Sequence, residues 1–289
     1  MMLLVCRGRN LTAASFCGVM VTMQVSGLSV PEINAALETS WLGQQVVYHS
    51  CVGSTNDEAK GLAEVGAPEG TLVIADYQTA GRGRLDRLWW SPPGSGLLLS
   101  LIFRPTFLRP QQAQRVAMVC SLAVCDAVAE VTGLAPAIKW PNDVLIEGRK
   151  VGGLLTELGI AASRLDHVVV GIGVNVNVEF EGSGALALIA LATSLKAELG
   201  SEVSRLMLLA ALLRCVEARY ERLRAGVLPH DEWQSRLVTL GQAVRVTMPG
   251  RVLAGRAVGV DADGALLVRR PDGEMERVLA GDVTLRSEG

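Results

Sequence analysis

The spacing of apolar residues along this chain switches between the helical period and the strand period, and each switch predicts an element. Residues 29–37, SVPEINAAL, open with Ser29 and Glu32 in a capping-box pattern and predict a short helix. QQVVYHSCV (44–52) reads as a strand. Thr55 and Glu58 form a second capping-box pattern that starts a helix, with Gly66 placed to close it. TLVIADYQ (71–78) and GLLLSLIF (96–103) are short apolar runs bounded by turn residues, hence buried strands. Residues 111–131 hold apolar positions at helical spacing until Thr132–Gly133 stops them. Residues 137–158 predict strand, turn, strand about Glu147–Gly148–Arg149, and HVVVGIGVNVNV (167–178) a β-branched strand. Two helices are expected over 185–199 and 201–224, the second with a leucine-rich side. After Leu240 the pattern changes to short strands separated by the tight-turn pairs Asp263–Gly264 and Asp272–Gly273, which suggests a small barrel. The expected organisation is an extension over 1–28, a large domain with sheet and helices over 29–238, and a small β domain over 239–289.

Composition narrows the class. The 289 residues are 49% apolar and 19% charged, with a net charge of −2, which suits a globular protein and argues against a surface that coats nucleic acid. No run reaches the ~20 apolar residues of a membrane-spanning helix. Six cysteines at 6, 17, 51, 120, 125 and 215 form no C-x-x-C pair, so reduced thiols are expected. The three histidines show no zinc-ligand spacing, and no protein-held metal is expected.

Two stretches carry candidate chemistry. GRGRLDRLWWSPPGSGLLLS (81–100) crowds Arg82, Arg84 and Arg87 into a loop punctuated by Gly81 and Gly83, beside Trp89 and Trp90. The glycines let backbone approach a ligand, and arginines this close become ordered when anionic oxygens arrive. The loop is therefore expected to be mobile when empty. It is not a P-loop, lacking G-K-[ST]. Alone, GRGR would be an ordinary basic turn and either tryptophan an ordinary core residue. KWPNDVLIEGRKVGGLLTEL (139–158) sets Lys139 and Lys150 about an Asn142–Asp143 step, with Pro141 holding Trp140 extended. Asp143 can orient a nitrogen nucleophile, and Gly152–Gly153 leave room for a ligand along the strand. Ser54, Thr55 and Asn56 fall at a helix N-terminus suited to a polar head group, though capping alone would explain Thr55. Gln78 and Asn175 are amides at strand ends. Clustered cations, an aromatic platform and one carboxylate are equipment for gathering anions such as a nucleotide triphosphate and a carboxylic acid.

In order and spacing these motifs resemble the biotin–protein ligases: STN at Ser54, YQTAGRGR at Tyr77, W.SP.G.GL..S from Trp89, KWPND at Lys139, K.GG.L.E from Lys150 and GIGVNVN from Gly171. The resemblance implies an α/β (α+β) catalytic domain with a mixed sheet flanked by helices, and a C-terminal SH3-like barrel. It implies ATP-dependent attachment of biotin, through biotinyl-5′-AMP and with Mg2+, to a lysine of a biotin carboxyl carrier protein, in the cytoplasm. It implies that Ser54, Thr55, Asn56, Gln78 and Lys150 contact biotin, with Arg82, Gly83 and Arg84 covering it. Trp89, Asn142 and Asn175 belong to the adenylate side, with Gly81, Arg87, Lys139 and Gly152 in the same binding set. Lys150, Arg84 and Asp143 are the catalytic candidates, Asp143 orienting the incoming lysine. Some members carry a basic residue and a glycine where Leu85 and Asp86 stand. A homodimer is left open. A lipoate–protein ligase is the rival enzyme, and a biotin-sensing DNA-binding regulator is disfavoured because fewer than thirty poorly patterned residues precede the match.

Residues 1–22 lack periodicity and precede the first helix cap, and Met20 or Met23 could serve as the working start. A chain beginning at Met23 should keep the melting temperature and activity of the full chain; a large loss of either would show that the extension packs on the enzyme.

Overall fold

The computed structural model describes residues 28–180, 191–248, 250–279 and 281–286. Ser29 caps helix α1 (Val30–Ala36) by accepting from the Glu32 amide at 3.4 Å, while its hydroxyl donates to the Glu32 carboxylate at 2.5 Å. Strand β1 (Val46–His49) leads to helix α2 (Thr55–Glu64). Here the second capping box does not form. Ser54 is the cap residue, without a side-chain capping bond, and Glu58 lies 3.8 Å from His49 Nε2 instead. The Thr55 donors are committed to Gln78, as described below.

Strands β2 (Leu72–Ala75), β3 (Gly96–Phe103), β4 (Ala137–Lys139), β5 (Asp143–Ile146), β6 (Arg149–Ala161) and β7 (Arg164–Asn175) complete a seven-stranded sheet of order β1-β2-β3-β7-β6-β5-β4. Only β1 and β2 run parallel; every other pair is antiparallel, so the sheet is mixed. The unbroken apolar runs follow from burial on both faces. Leu72, Ile74, Leu99, Leu101, Val168 and Val170 point to one core with helix α3 (Gln114–Thr132) and helix α5 (Arg205–Arg224). The alternate residues Val73, Ile102 and Val169 pack under Ala59 and Ala63 of α2. Gly133, at φ +73, ends α3 as expected. The turn from β5 to β6 takes positive φ at both Glu147 and Gly148, as a two-residue hairpin requires. None of the described cysteines is in a disulfide, and burial pushes the Cys125 thiol of α3 up to about 12.

Two expectations need correction. Of the helix expected over 185–199, residues 185–190 lie outside the described residues; 191–194 are not helical, and α4 (Leu195–Leu199), capped by Ser194, is the described helical part. Residues 191–193 run alongside Lys150 instead, its amide donating to Leu191 O at 2.9 Å and its carbonyl accepting from the Thr193 amide at 2.8 Å. Helix α5 starts behind Ser204, later than residue 201. A further helix, α6 (His230–Ser235), buries Trp233, whose indole N–H donates to Ser121 at 3.0 Å.

Strands β8 (Ala243–Met248), β9 (Arg251–Val260), β10 (Leu266–Arg269), β11 (Met275–Val278) and β12 (Asp282–Arg286) form an antiparallel sheet of order β11-β10-β9-β8-β12. Its buried Val244, Val246, Leu266 and Val268 are continuous with the main core. Trp140 ties the two sheets. It is 1% exposed, its amide donates to Thr239 Oγ1 at 2.9 Å, and its indole N–H donates to Gly264 O at 2.9 Å. Among the described residues no helix is long and apolar enough to cross a membrane. Trp140→Ala should cost about 3–5 kcal/mol of stability, as truncations of buried aromatics do, measured by denaturant unfolding; a loss under about 1 kcal/mol would mean the two sheets do not depend on this side chain.

Candidate functional site

The site lies on the face of the large sheet that α2 covers at one end. Strand register brings Lys139, Asp143, Gly153, Gly173 and Leu98 into one cross-strand row. Leu155, Gly171 and Ser100 form the next, and Glu157, Val169 and Ile102 the third. Gly96 and Asn175 pair at the near end. Neither Gly153 nor Gly173 carries a side chain, and the space this leaves is taken by Lys150 and Trp89.

A bulge decides which lysine atom reaches this face. Asp143 pairs with Gly153 and Val144 with Gly152, but Leu145 pairs with Lys150, so Val151 is an extra residue in β6. Without it, Lys150 would share a face with Gly152 and point into the core. With it, Lys150 joins Asp143 and Gly153, the re-aiming that bulges beside sites produce. Its Nζ lies 2.5 Å from Asp143 Oδ1 and 5.4 Å from the centroid of Trp89. A Cβ on Gly153 would stand 3.1 Å from Lys150 Cε, so the space left by Gly153 holds the lysine itself. Gly152 faces the other way, toward Val144 and Val174 of the core and 3.1 Å from Gly173 O. Gly152 is therefore corrected from a ligand-side residue to one that lets β6 and β7 approach.

Trp89 lies against β7, where a Cβ on Gly173 would fall 2.6 Å from its ring. Its indole N–H is buried without a partner. Trp90 is 52% exposed, so the adjacent tryptophans do diverge, but neither is the core residue that Trp140 is. Gly81 is needed for closure of the loop, since a Cβ there would meet Trp89 O at 2.4 Å.

At the α2 end, Gln78 Oε1 accepts from the Thr55 amide at 2.8 Å and the Thr55 hydroxyl at 3.0 Å. Ser100, the one polar residue of β3, donates to Asn56 Oδ1 at 2.7 Å, and Asn56 Nδ2 donates to Glu157 at 2.9 Å. Gly171 admits Asn56: a Cβ there would sit 2.1 Å from its side-chain oxygen. Ser54 is buried at the cap position beside them.

Each arginine of the loop has its own partner. Arg82 pairs with Asp57 at 2.5 Å and Glu157 at 3.0 Å. Arg84 donates to Asn142 Oδ1 at 3.3 Å, and Asn142 Nδ2 in turn donates to Leu154 O. Arg87 pairs with Asp282 of β12. Two of the three arginines, Arg82 and Arg87, thus have carboxylate partners that the expectation of an empty loop short of anions did not include, while Arg84 has only an amide oxygen. Burial lowers the Arg84 pKa below its ordinary value, against the neighbouring charges of Asp143 and Asp282. For Glu157 burial alone would raise the carboxyl, but hydrogen bonds from Lys60 and Asn56 and the charge of Arg82 outweigh it and hold the pKa low. Asn175 is buried and donates to Thr193 O at 3.0 Å. Gly83 receives no side-chain neighbour closer than Arg87 and donates its amide to Arg87 O at 2.6 Å.

The fold thus joins Arg84, Trp89, Asn142, Asp143 and Lys150 in one cluster and Thr55, Asn56, Gln78 and Arg82 in an adjoining one. Lys139 stands at the outer end of the row, and Arg87 turns toward the C-terminal sheet. Sequence reasoning gave no role to Asp57, nor to Ser100, Glu157, Gly171 and Gly173, although the last four stand in the motifs quoted above. A serine alone inside an apolar strand, and glycines alternating in a β-branched one, were the signals present.

Residues 48–175 match the model of the Biotin/lipoate A/B protein ligase family, and residues 239–286 that of the Biotin protein ligase C terminal domain. Over 260 residues the chain is 35% identical to the bifunctional ligase/repressor BirA of Bacillus subtilis (strain 168), across 89% of this chain and 79% of that protein. The chain belongs to the biotin protein ligase family. It is also 34% identical over 238 residues to the biotin–[acetyl-CoA-carboxylase] ligase of Mycobacterium tuberculosis, across 80% of this chain and 85% of that one. Among solved structures it resembles the biotin protein ligase from Aquifex aeolicus in complex with biotin and ATP, with a TM-score of 0.70 and 29% identity over 84% of this chain and 99% of that chain. The ligase motifs quoted above fall within the first matched segment, save Val176 and Asn177 at the end of the last one.

The folded pKa of Glu157 is depressed, so its stabilising contribution is complete above the unfolded carboxyl value of about 4.3 and is lost as pH falls through the folded value. Glu157→Gln should lower stability by about 1 kcal/mol at neutral pH, and the difference from the parent should shrink as pH falls below about 4.3 and disappear only below the folded value. Unfolding free energies across that pH range provide the test; a difference independent of pH would show that charge plays no part.

Proposed function

We propose that this protein attaches biotin to one lysine of a biotin carboxyl carrier protein in two steps, with ATP as co-substrate and biotinyl-5′-AMP as intermediate. The observation that carries the reading is the Lys150–Asp143 pair at 2.5 Å, with Arg84 and Trp89 beside it, on a floor of β6 and β7 where glycines admit Lys150, Asn56 and Trp89. In the first step a carboxylate oxygen of biotin attacks the α-phosphorus of ATP and pyrophosphate leaves. Two anions must meet, and Lys150 with Arg84 supplies the positive charge that offsets their repulsion. Thr55, Asn56 and Gln78, with Ser54 beside them, form the polar end that holds biotin, and Arg82 and Gly83 cover it. Trp89, Asn142 and Asn175 hold the nucleotide side, with Gly81 closing the loop behind Trp89. In the second step the lysine amine attacks the acyl carbon, AMP leaves and an amide forms. Asp143 orients that amine and accepts its proton. Lys139 and Arg87 contribute positive charge at the rim. Mg2+ would enter with ATP as part of that substrate and offset charge on its phosphates.

The same reading divides the chain at residues 29–238 and 239–289 and curls the second sheet into an SH3-like barrel, supported by the match over 239–286. It assigns the enzyme to the cytoplasm, where bacterial carriers reside. Biotin is favoured over lipoate by the C-terminal domain match and the named relatives.

Incubation with ATP, Mg2+, biotin and a purified carrier domain should raise the carrier mass by one biotin. Pyrophosphate exchange should require biotin and not respond to lipoate. No carrier mass shift, or exchange with lipoate alone, would overturn the assignment. Lys150→Ala should slow adenylate formation by about 100-fold or more, the effect of losing one preorganised charged donor; near-normal exchange would remove Lys150 from the mechanism.

A further inference from the structure

The arginine loop closes on itself through three backbone bonds. Trp89 N–H donates to Gly81 O at 2.9 Å, Gly83 N–H to Arg87 O at 2.6 Å, and Arg87 N–H to Arg84 O at 3.2 Å. The tight path forces Leu85 to φ +53 and ψ +43, the left-handed region. For a residue with a Cβ this costs about 1–2 kcal/mol. Leu85 is 56% exposed, so burial of its side chain does little to offset the strain. Ties outside the loop must therefore hold the closed shape.

Three such ties exist, one for each arginine, and they differ in kind. Arg82 reaches α2 and β6, and Arg84 reaches the turn before β5; both stay within the large sheet and its helix. Arg87 alone reaches the C-terminal sheet, where both oxygens of Asp282 engage its two terminal nitrogens, one contact at 3.3 Å. The fork-to-fork form gives direction as well as attraction. Asp282 opens β12, is registered against Thr247 of β8, and precedes the buried Val283. It is thus set on a rigid element. Its charge also reaches Arg84, whose cationic form it favours together with Asp143.

We propose that Asp282 is a positioning residue for the arginine loop: through Arg87 it holds the loop closed over the site, so that the C-terminal sheet sets how long the adenylate is retained. The proposal rests on the ligase reading above. Asp282 touches no reacting atom; it acts through Arg87. An ion pair with its arginine largely exposed adds little to global stability. It is nevertheless comparable to the strain at Leu85, and so able to shift the balance between closed and open loop several-fold.

Asp282→Asn should speed hydrogen exchange at the amides of Gly83, Arg87 and Trp89 in the enzyme without substrates by about three- to tenfold. Preformed biotinyl-5′-AMP, diluted into biotin-free buffer, should be lost faster by a similar factor. The melting temperature should stay within about 2 °C of the parent. Arg87→Gln should reproduce the faster exchange, and the double variant should add nothing to either single one, because both remove the same bond. Should Asp282→Asn unfold the C-terminal sheet, Arg87→Gln leaves β12 intact and carries the same expectation. Unaltered loop exchange, faster exchange with unaltered adenylate retention, or additive effects in the double variant would each overturn the proposal. Failure of the ligase reading shows itself separately, as absence of biotin-dependent pyrophosphate exchange in the parent enzyme.

Discussion

The constraint on which this structure turns is electrostatic. A site built to receive anions must concentrate cations, and concentrated cations repel one another until something balances them. Here the balance is internal. Lys150 is held by Asp143, Arg82 by Asp57 and Glu157, Arg87 by Asp282, and Arg84 by the Asn142 amide. Lys150 and the three loop arginines each have a protein oxygen in hand. Binding is thus an exchange of partners, and the net gain is smaller than four charged contacts would suggest. What the arrangement secures is geometry: each of these cations is held in a fixed place by its protein partner before any ligand binds.

The sheet makes that geometry possible. Glycine at 153, 171 and 173 strips side chains from adjacent positions of β6 and β7, and the vacated space is taken by Lys150, Asn56 and Trp89 respectively. The approach distances are so short that a methyl group at 171 or 173 would overlap its neighbour. Helix α2 can lie close enough for Asn56 to hydrogen-bond Ser100 and Glu157 only because β7 is bare beneath it. The opposite face of the same strands is packed with Val, Ile and Leu against α3 and α5. One sheet therefore supplies a dense core on one side and a stripped floor on the other, with period 2 separating the two tasks.

Much of this was legible in the sequence. The apolar runs at 71–78 and 96–103, the helix ending at Gly133, the hairpin at Glu147–Gly148 and the change of pattern after Leu240 all appear where periodicity and turn chemistry put them. The motifs also marked Lys150, Asp143, Arg84 and Asn142, which the fold draws together. What the sequence did not yield depends on register and long-range contact. Gly152 and Gly153 look equivalent in the chain, yet the bulge at Val151 sends one to the core and the other to the site. Thr55 and Glu58 satisfy a capping-box pattern, but Gln78, 23 residues away from Thr55, outcompetes it. Arg87 and Asp282 are 195 residues apart, and no local rule could pair them.

On the ligase reading, the Lys150–Asp143 contact would also give the two chemical steps an order. While Lys150 holds Asp143, the carboxylate has a cationic partner and is poorly placed to receive another. Formation of the adenylate offers Lys150 a phosphate oxygen, and the ammonium cannot serve both equally. As Lys150 turns to the phosphate, Asp143 loses its counter-charge in a half-buried position, which strengthens its attraction for the next cation or N–H donor to arrive. On the ligase reading that arrival is the carrier lysine. The amine is then drawn to the acyl carbon once the intermediate exists, and less strongly before. Arg84 follows the same logic on the other side, since burial disfavours its charge until an anion pairs with it. A site whose cations begin paired with its own oxygens thereby couples recognition of the second substrate to completion of the first step.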